Sequence, residues 1–189
     1  MSNLALKTIT MLGLPLAVFL GGIRIISKKS DRNYVTQRLR QSAAPEDQKP
    51  LQQRLGYDAG AVNRHWGALD NTALRLERRF LELDLVFPFF YGAALSASSL
   101  MAWATLGRPF RPAWLMALVA VTVLADWTEN LVQLGQLRRY TEDGEAGLQP
   151  GWIQIASAAT ILKMLSFLGA SLFLMGLVVS MVVRALRPK

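Results

Sequence analysis

The chain has no cysteine and one histidine, His65, among 189 residues. The missing cysteine excludes disulfides, thiolate metal sites and a cysteine nucleophile. A lone imidazole does not build a multi-histidine metal or haem site, so neither metal nor other cofactor is expected. Ala5 to Ile23 carries no carboxylate, and charge is scarce in three further long runs. A soluble domain of this length interleaves charge and apolar residues more finely. Here the 52% hydrophobic residues come in blocks, and the mean hydropathy is +0.26. That pattern belongs to a small polytopic membrane protein.

The first block, "TITMLGLPLAVFLGGI" (Thr8 to Ile23), lies between Lys7 and Arg24. Its flanking cations can snorkel, which lets a slightly short run span. The heavier charge after the block and the lack of a small-residue cleavage site argue for an uncleaved helix rather than a signal peptide. "SAAPEDQKP" (Ser42 to Pro50) reads as a turn or linker. From Asp70, an N-cap candidate, Ala73, Leu76, Phe80, Leu83 and Phe87 follow one helical stripe. Arg75, Arg78 and Arg79 take the other faces, which predicts a basic amphipathic helix at the headgroups. The second span is Leu85 to Gly107, with Pro88 in its first turn. "RPFRP" predicts a hairpin into a third span, Ala113 to about Gln136, and "LRRYTEDGEAGLQPG" a loop. Trp152 to Val183 predicts one long helix projecting from the membrane, with an interfacial piece before a span near Met164 as the alternative.

The fold class expected is therefore all-α: an integral membrane four-helix bundle with a cytoplasmic amphipathic segment between spans one and two. Residues 1–27 form the first span, 28–83 the cytoplasmic part and 84–189 the remaining three. The net charge of +8 sits mainly between and beside the apolar blocks. Orientation in a bilayer explains it better than nucleic acid, which is not an expected partner. Residues 27–83 carry eleven Lys and Arg and residues 137–150 two more, which places both segments in the cytoplasm and both termini outside. The C-terminal "RALRPK" runs against this count. His65 reads as an ordinary interfacial side chain, and Trp103, Trp114, Trp127 and Trp152 as aromatic-belt anchors. "GAALSASS" predicts close helix packing.

Asp126, Glu129, Asn130 and Gln133 fall at i, i+3, i+4 and i+7, with Thr122 one turn earlier. They form one polar stripe on the third helix, and part of it enters the hydrocarbon. A carboxylate there must be paired, protonated or wetted. Lys163, on the antiparallel neighbour, is the natural partner, with Thr160 and Ser166 on its face. Asp84 and Tyr91 of the second helix can complete the wall. Such a cluster either forms a site or fixes helix register, and both alternatives stand.

Three motifs carry a resemblance. Asp84, Phe87, Pro88, Tyr91 and Gly92 spell D-x-x-F-P-x-x-Y-G; Asp126, Glu129 and Asn130 spell D-x-x-E-N; Thr160 and Lys163 spell T-x-x-K. Over about residues 60–185 the chain resembles a family of uncharacterised bacterial four-helix membrane proteins with these motifs. That resemblance implies a shared core and a bacterial inner-membrane location, and supplies no activity. "LELDLVFPFF" is also similar to the second helix of the sterol isomerase and sigma-2 receptor (EXPERA) family. The latter likeness implies four helices around an intramembrane lipid cavity, although the first-helix acidic residue of that family is missing from Ala5 to Ile23.

The function expected is a polar intramembrane pocket for an amphipathic or lipid-like ligand. Its residues are Asp84, Tyr91, Asp126, Glu129, Asn130, Thr160 and Lys163, with Lys163 holding an anionic or carbonyl group. The alternative is a non-enzymatic subunit or assembly factor of a larger membrane complex; a proton or ion pathway is a third class. Expected partners are membrane lipids, a small amphipathic ligand, and complex subunits or further copies of the chain. The residues identify no reaction.

Overall fold

The computed structural model describes residues 3–107 and 111–186, which are helical with no strand. The expected "RPFRP" hairpin and the last C-terminal cations fall in 108–110 and 187–189, outside the described residues. The helices are α1 (Asn3–Lys29), α2 (Arg32–Ser42), α3 (Ala59–Gly67), α4 (Asn71–Asp84), α5 (Phe87–Thr105), α6 (Ala113–Asp143) and α7 (Pro150–Leu186). Three stretches are long and apolar enough to cross a membrane: Leu6–Lys29, Asn71–Thr105 and Pro150–Leu186. The second joins α4 to α5 across a turn at Leu85 and Val86. Helix α6 is not among them, because its carboxylates and amides interrupt the apolar run.

Two expectations need correction. The third helix does not stop near Gln136 but continues to Asp143, so the following connection is only a short turn around Gly144–Gly147. The i,i+4 pair of Arg138 with Glu142 (3.0 Å) supports the added turns, and Leu137 and Tyr140 pack them onto the core. His65 is not an interfacial side chain but is fully buried. Its Nδ1 lies 3.0 Å from the Asp47 carbonyl and 3.2 Å from Arg54 Nη2. The segment Ser42 to Pro50 is correspondingly more than a linker. Asp47 accepts from Arg54 Nη1 (2.9 Å) and Arg64 Nε (2.8 Å), which locks it onto α3. Helix α7 is one unbroken helix of 37 residues.

Asp70 caps α4 by accepting from the Ala73 N–H at 2.8 Å, as its position before the apolar stripe predicts. Helix α4 buries Ala73 of the stripe, and Leu81 beside it, in a cluster with Val35, Leu39, Trp66 and Ile153, with Leu76 and Phe80 partly buried against it. That cluster packs residues 32–70 onto the ends of α6 and α7. Helices α6 and α7 form the most extensive pair, α5 packs on both, and α1 lies on α5 and only lightly on α7. Glycine sets two of these approaches. A Cβ on Gly22 would meet the Phe87 ring at 2.0 Å, and one on Gly92 would meet Val123 Cγ2 at 2.6 Å. Only the bare backbone lets α1 close on α5, and α5 on α6, to these distances.

The capping segment has an acid limit. Burial pushes the His65 imidazole below 6.5, against the opposing charge of Glu77. Burial acts to raise the Asp47 carboxyl, but the Arg64 and Arg54 hydrogen bonds outweigh it and hold the group below 3.8. Both groups bind protons more readily in the unfolded chain, so folding of this segment loses stability as pH falls. The loss starts as pH drops through 6.5 and continues through the carboxylate range below 3.8. Amide protection in α3, taken relative to the intrinsic exchange rate at each pH, should fall on acidification from neutral pH. Protection that stays constant down to about pH 4, below the ordinary histidine range, would refute this.

Candidate functional site

The polar stripe of α6 faces inward. Asp126 is 4% exposed, and Glu129 and Asn130 are fully buried. Opposite them, Lys163 of α7 points its ammonium between the two carboxylates. Its Nζ donates to Asp126 Oδ1 at 3.1 Å and also to Glu129 Oε2. The pairing follows from the sequence. A turn of a few residues makes α6 and α7 antiparallel, and the i, i+3 spacing of Asp126 and Glu129 presents both carboxylates to one partner.

Each carboxylate has further donors. The Tyr91 hydroxyl donates to Asp126 Oδ2 at 2.9 Å, and Asn130 Nδ2 donates to Oδ1 at 3.2 Å. The same amide reaches Asp84, donating to its carbonyl (3.3 Å) and to Oδ2 (3.2 Å). Gln133 Nε2 donates to Glu129 Oε1 at 3.2 Å and to the Tyr57 hydroxyl at 2.7 Å. Gln52 Nε2 in turn donates to Gln133 Oε1 at 2.8 Å. Thr160 is fully buried, adjoins Tyr57 and Glu129, and donates to the Ala156 carbonyl at 3.0 Å. The close approach at Gly92 is what carries Tyr91, its neighbour on α5, to Asp126. Burial, and next the charge of Glu129, push the Tyr57 phenol up to about 12, so it stays neutral at the junction of cap and cluster.

All seven residues expected from sequence thus meet in one network. Tyr57 and Gln52 were not among them. They arrive from the segment before α3, far away in the chain, and no local pattern marks them. Trp127, half-buried, donates from its Nε1 to the Leu85 carbonyl at 2.8 Å and ties α6 to the turn between α4 and α5.

A cavity of ≈ 460 Å³ opens beside the network. Asp84, Asp126 and Lys163 stand in its wall, Phe87 and Phe167 on its apolar side, and Arg32 towards the cap. Arg32 is already engaged, because its guanidinium pairs with Glu77 and lies 4.3 Å from the Phe80 ring centre. The cluster therefore sets three carboxylates against the single ammonium of Lys163. Asp84 has only amide support, and no ion pair among the described residues. The buried Asn130 Oδ1 also lacks a donor. The wall around Asp84 and Asp126 is carboxylate, whereas the donors Ser27, Thr36 and Gln53 stand towards the cap. Among the described residues no three histidine or carboxylate side chains are placed to hold one metal ion.

The cluster is stable only as a unit. Lys163→Met strands two buried carboxylates and should cost about 3–5 kcal/mol or force a proton onto one of them. Adding Glu129→Gln should restore more stability than adding Asp126→Asn. Glu129 is the more deeply buried, whereas Asp126 keeps the Tyr91 and Asn130 donors. Thermal unfolding of the single and two double variants in detergent measures this; equal recovery by both doubles would count against it.

No family model, curated protein or solved structure matches the chain.

Proposed function

We propose that the chain is a multi-pass protein of the bacterial inner membrane, with α1, α4–α5, α6 and α7 as a four-helix bundle. Its intramembrane cavity binds the polar group of an amphipathic, lipid-like ligand. Three stretches have the length and apolarity to span. The fourth, α6, has the length, and its polar stripe is turned away from lipid, as an intramembrane charge requires. The cation-rich segments 27–83 and 137–150 lie at one end, which supports a cytoplasmic position for both.

The observation that carries the ligand reading is the cavity wall. An open space of ≈ 460 Å³ beside a saturated ion cluster lies within the size of small-molecule sites. Apolar rings line one side and carboxylates the other, so the space suits a molecule with both characters. The role of Lys163 shifts accordingly. Two of its three N–H groups are held by Asp126 and Glu129, and their charges with that of Asp84 outweigh its own, so it is poorly placed to seize an anion. The fitting group is instead a hydrogen-bond donor or an amine, received by Asp84. Lys163 and Tyr91 then hold Asp126 in place behind it.

A second reading rests on that same saturation. A lysine satisfied by two carboxylates also fixes the register of α6 on α7, as a non-enzymatic subunit or assembly factor of a larger membrane complex would need. Native mass spectrometry of gently solubilised protein separates the two. The ligand reading predicts one small molecule retained per chain. Asp84→Asn should reduce that retention about tenfold, the value of a lost charge-assisted hydrogen bond, with little change in melting temperature. Stoichiometric partner chains without a small molecule would favour the second reading. A bare chain in every gentle detergent would overturn the first.

A further inference from the structure

The polar cavity does not end at its aromatic side. A second cavity of ≈ 520 Å³ continues along the gap between α1 and α7, and the two share the walls Phe19, Tyr91 and Phe167. These three rings lie within 5.3–6.3 Å of one another, centre to centre. Beyond them the lining is Leu12, Leu16, Leu95, Leu174 and Met175, with Ser171 the one aliphatic hydroxyl.

The gap has a structural origin. Helix α1 is fastened at two levels. Below, Met11 is fully buried in a cluster with Leu95, Ala170 and Leu174. Above, Ile26 packs with Phe87 and Tyr91, beside the close approach at Gly22. Between these levels α1 carries Pro15, which removes a backbone donor and crowds the carbonyl one turn earlier. Between Met11 and the stack of Phe19 on Phe167, α1 and α7 leave the lower cavity, and Leu16 and Met175 remain about half exposed at 57% and 49%. The lower cavity therefore opens sideways, towards the lipid. From Leu12 to Phe19, and again from Phe19 to Ile26, is roughly 10 Å along the helix. The two cavities lie end to end on either side of the three rings as a slot, polar above and apolar below, running across about two-thirds of a hydrocarbon layer.

We propose that the lower cavity is the tail site of the ligand, which is a single-chain amphiphile with an amine or other donor as its head. This rests on the ligand reading above and adds the second site, the chain number and the route. The head sits at Asp84, and one apolar chain runs past the edge of Phe19 and Phe167 into the space under Pro15. It enters from the bilayer between α1 and α7. The three rings are in contact and divide the two cavities, so one chain crosses by displacing a ring edge, and the second chain of a phospholipid would have to displace another.

Photo-crosslinking tests this on the full chain in phosphatidylcholine nanodiscs. One hexadecylamine probe carries a diazirine at its terminal carbon, and the other carries it beside the amine. The terminal probe should label Leu12, Leu174 and Met175, and the other the surroundings of Asp84 and Met164. Unlabelled hexadecylamine should compete with both. Ser171→Phe overfills the lower cavity and should cut terminal-probe labelling about tenfold. It should leave labelling by a short hexylamine probe unchanged, which also shows that the variant folds. Head labelling that competes, with terminal labelling spread over lipid-facing residues such as Leu172 and Val179, would overturn the tail site and leave the ligand reading standing. Absence of competition at either position would overturn both.

Discussion

One buried ammonium governs the arrangement. Lys163 sits on an otherwise apolar helix, and no single carboxylate explains its place. It is held by two, one helical turn apart on α6, and each of them is held by further donors. Removing charges from water is costly, and a buried pair repays that cost only when its remaining lone pairs and protons are satisfied. The hydrogen bonds from Tyr91, Asn130 and Gln133 meet that requirement. The consequence is geometric. The helices supplying those donors must sit at one depth and one rotation, so satisfying the lysine fixes α5, α6 and α7 together.

The other constraints serve this one. Gly92 brings α5 close enough for Tyr91 to reach Asp126, and the Trp127 bond to the Leu85 carbonyl holds α6 against the turn above. The cap reaches the same point through Gln52, Tyr57 and Gln133. Helix α1 takes no part in the polar network. It is attached by apolar contact at Met11, at the Phe19 stack on Phe167 and at Ile26, which leaves a gap to α7 around Pro15. The rigid part of the molecule and its open part are thus separate: three helices carry the charges, and the fourth borders the slot.

Much of this was legible in the residues. The i, i+3, i+4, i+7 stripe on α6 and the isolated Lys163 on the antiparallel neighbour forced the question of pairing, because charges in apolar runs need partners. The α4 cap at Asp70 followed from local chemistry. Other features had no local signal. The last two turns of α6 carry only Leu137 and Tyr140 among five polar residues, too few to continue a stripe, although both pack on the core and the helix runs on. His65 stands in a mixed sequence, and its burial depends on Asp47 and Arg54, which only the fold brings to it. Tyr57 and Gln52 enter the network through tertiary contact alone. The slot beside α1 is a property of what α1 does not touch, and no pattern within Ala5 to Ile23 encodes it.

The central claim is that the Lys163 ammonium is enclosed between Asp126 and Glu129, and its chemical reactivity tests that directly. Reductive methylation of the protein in nanodiscs, followed residue by residue by mass spectrometry, compares Lys163 with the exposed Lys28, Lys29 and Lys49. The account predicts that the three exposed amines are modified first and that Lys163 stays unmodified until they are complete. Modification of Lys163 at the rate of Lys49 would contradict it.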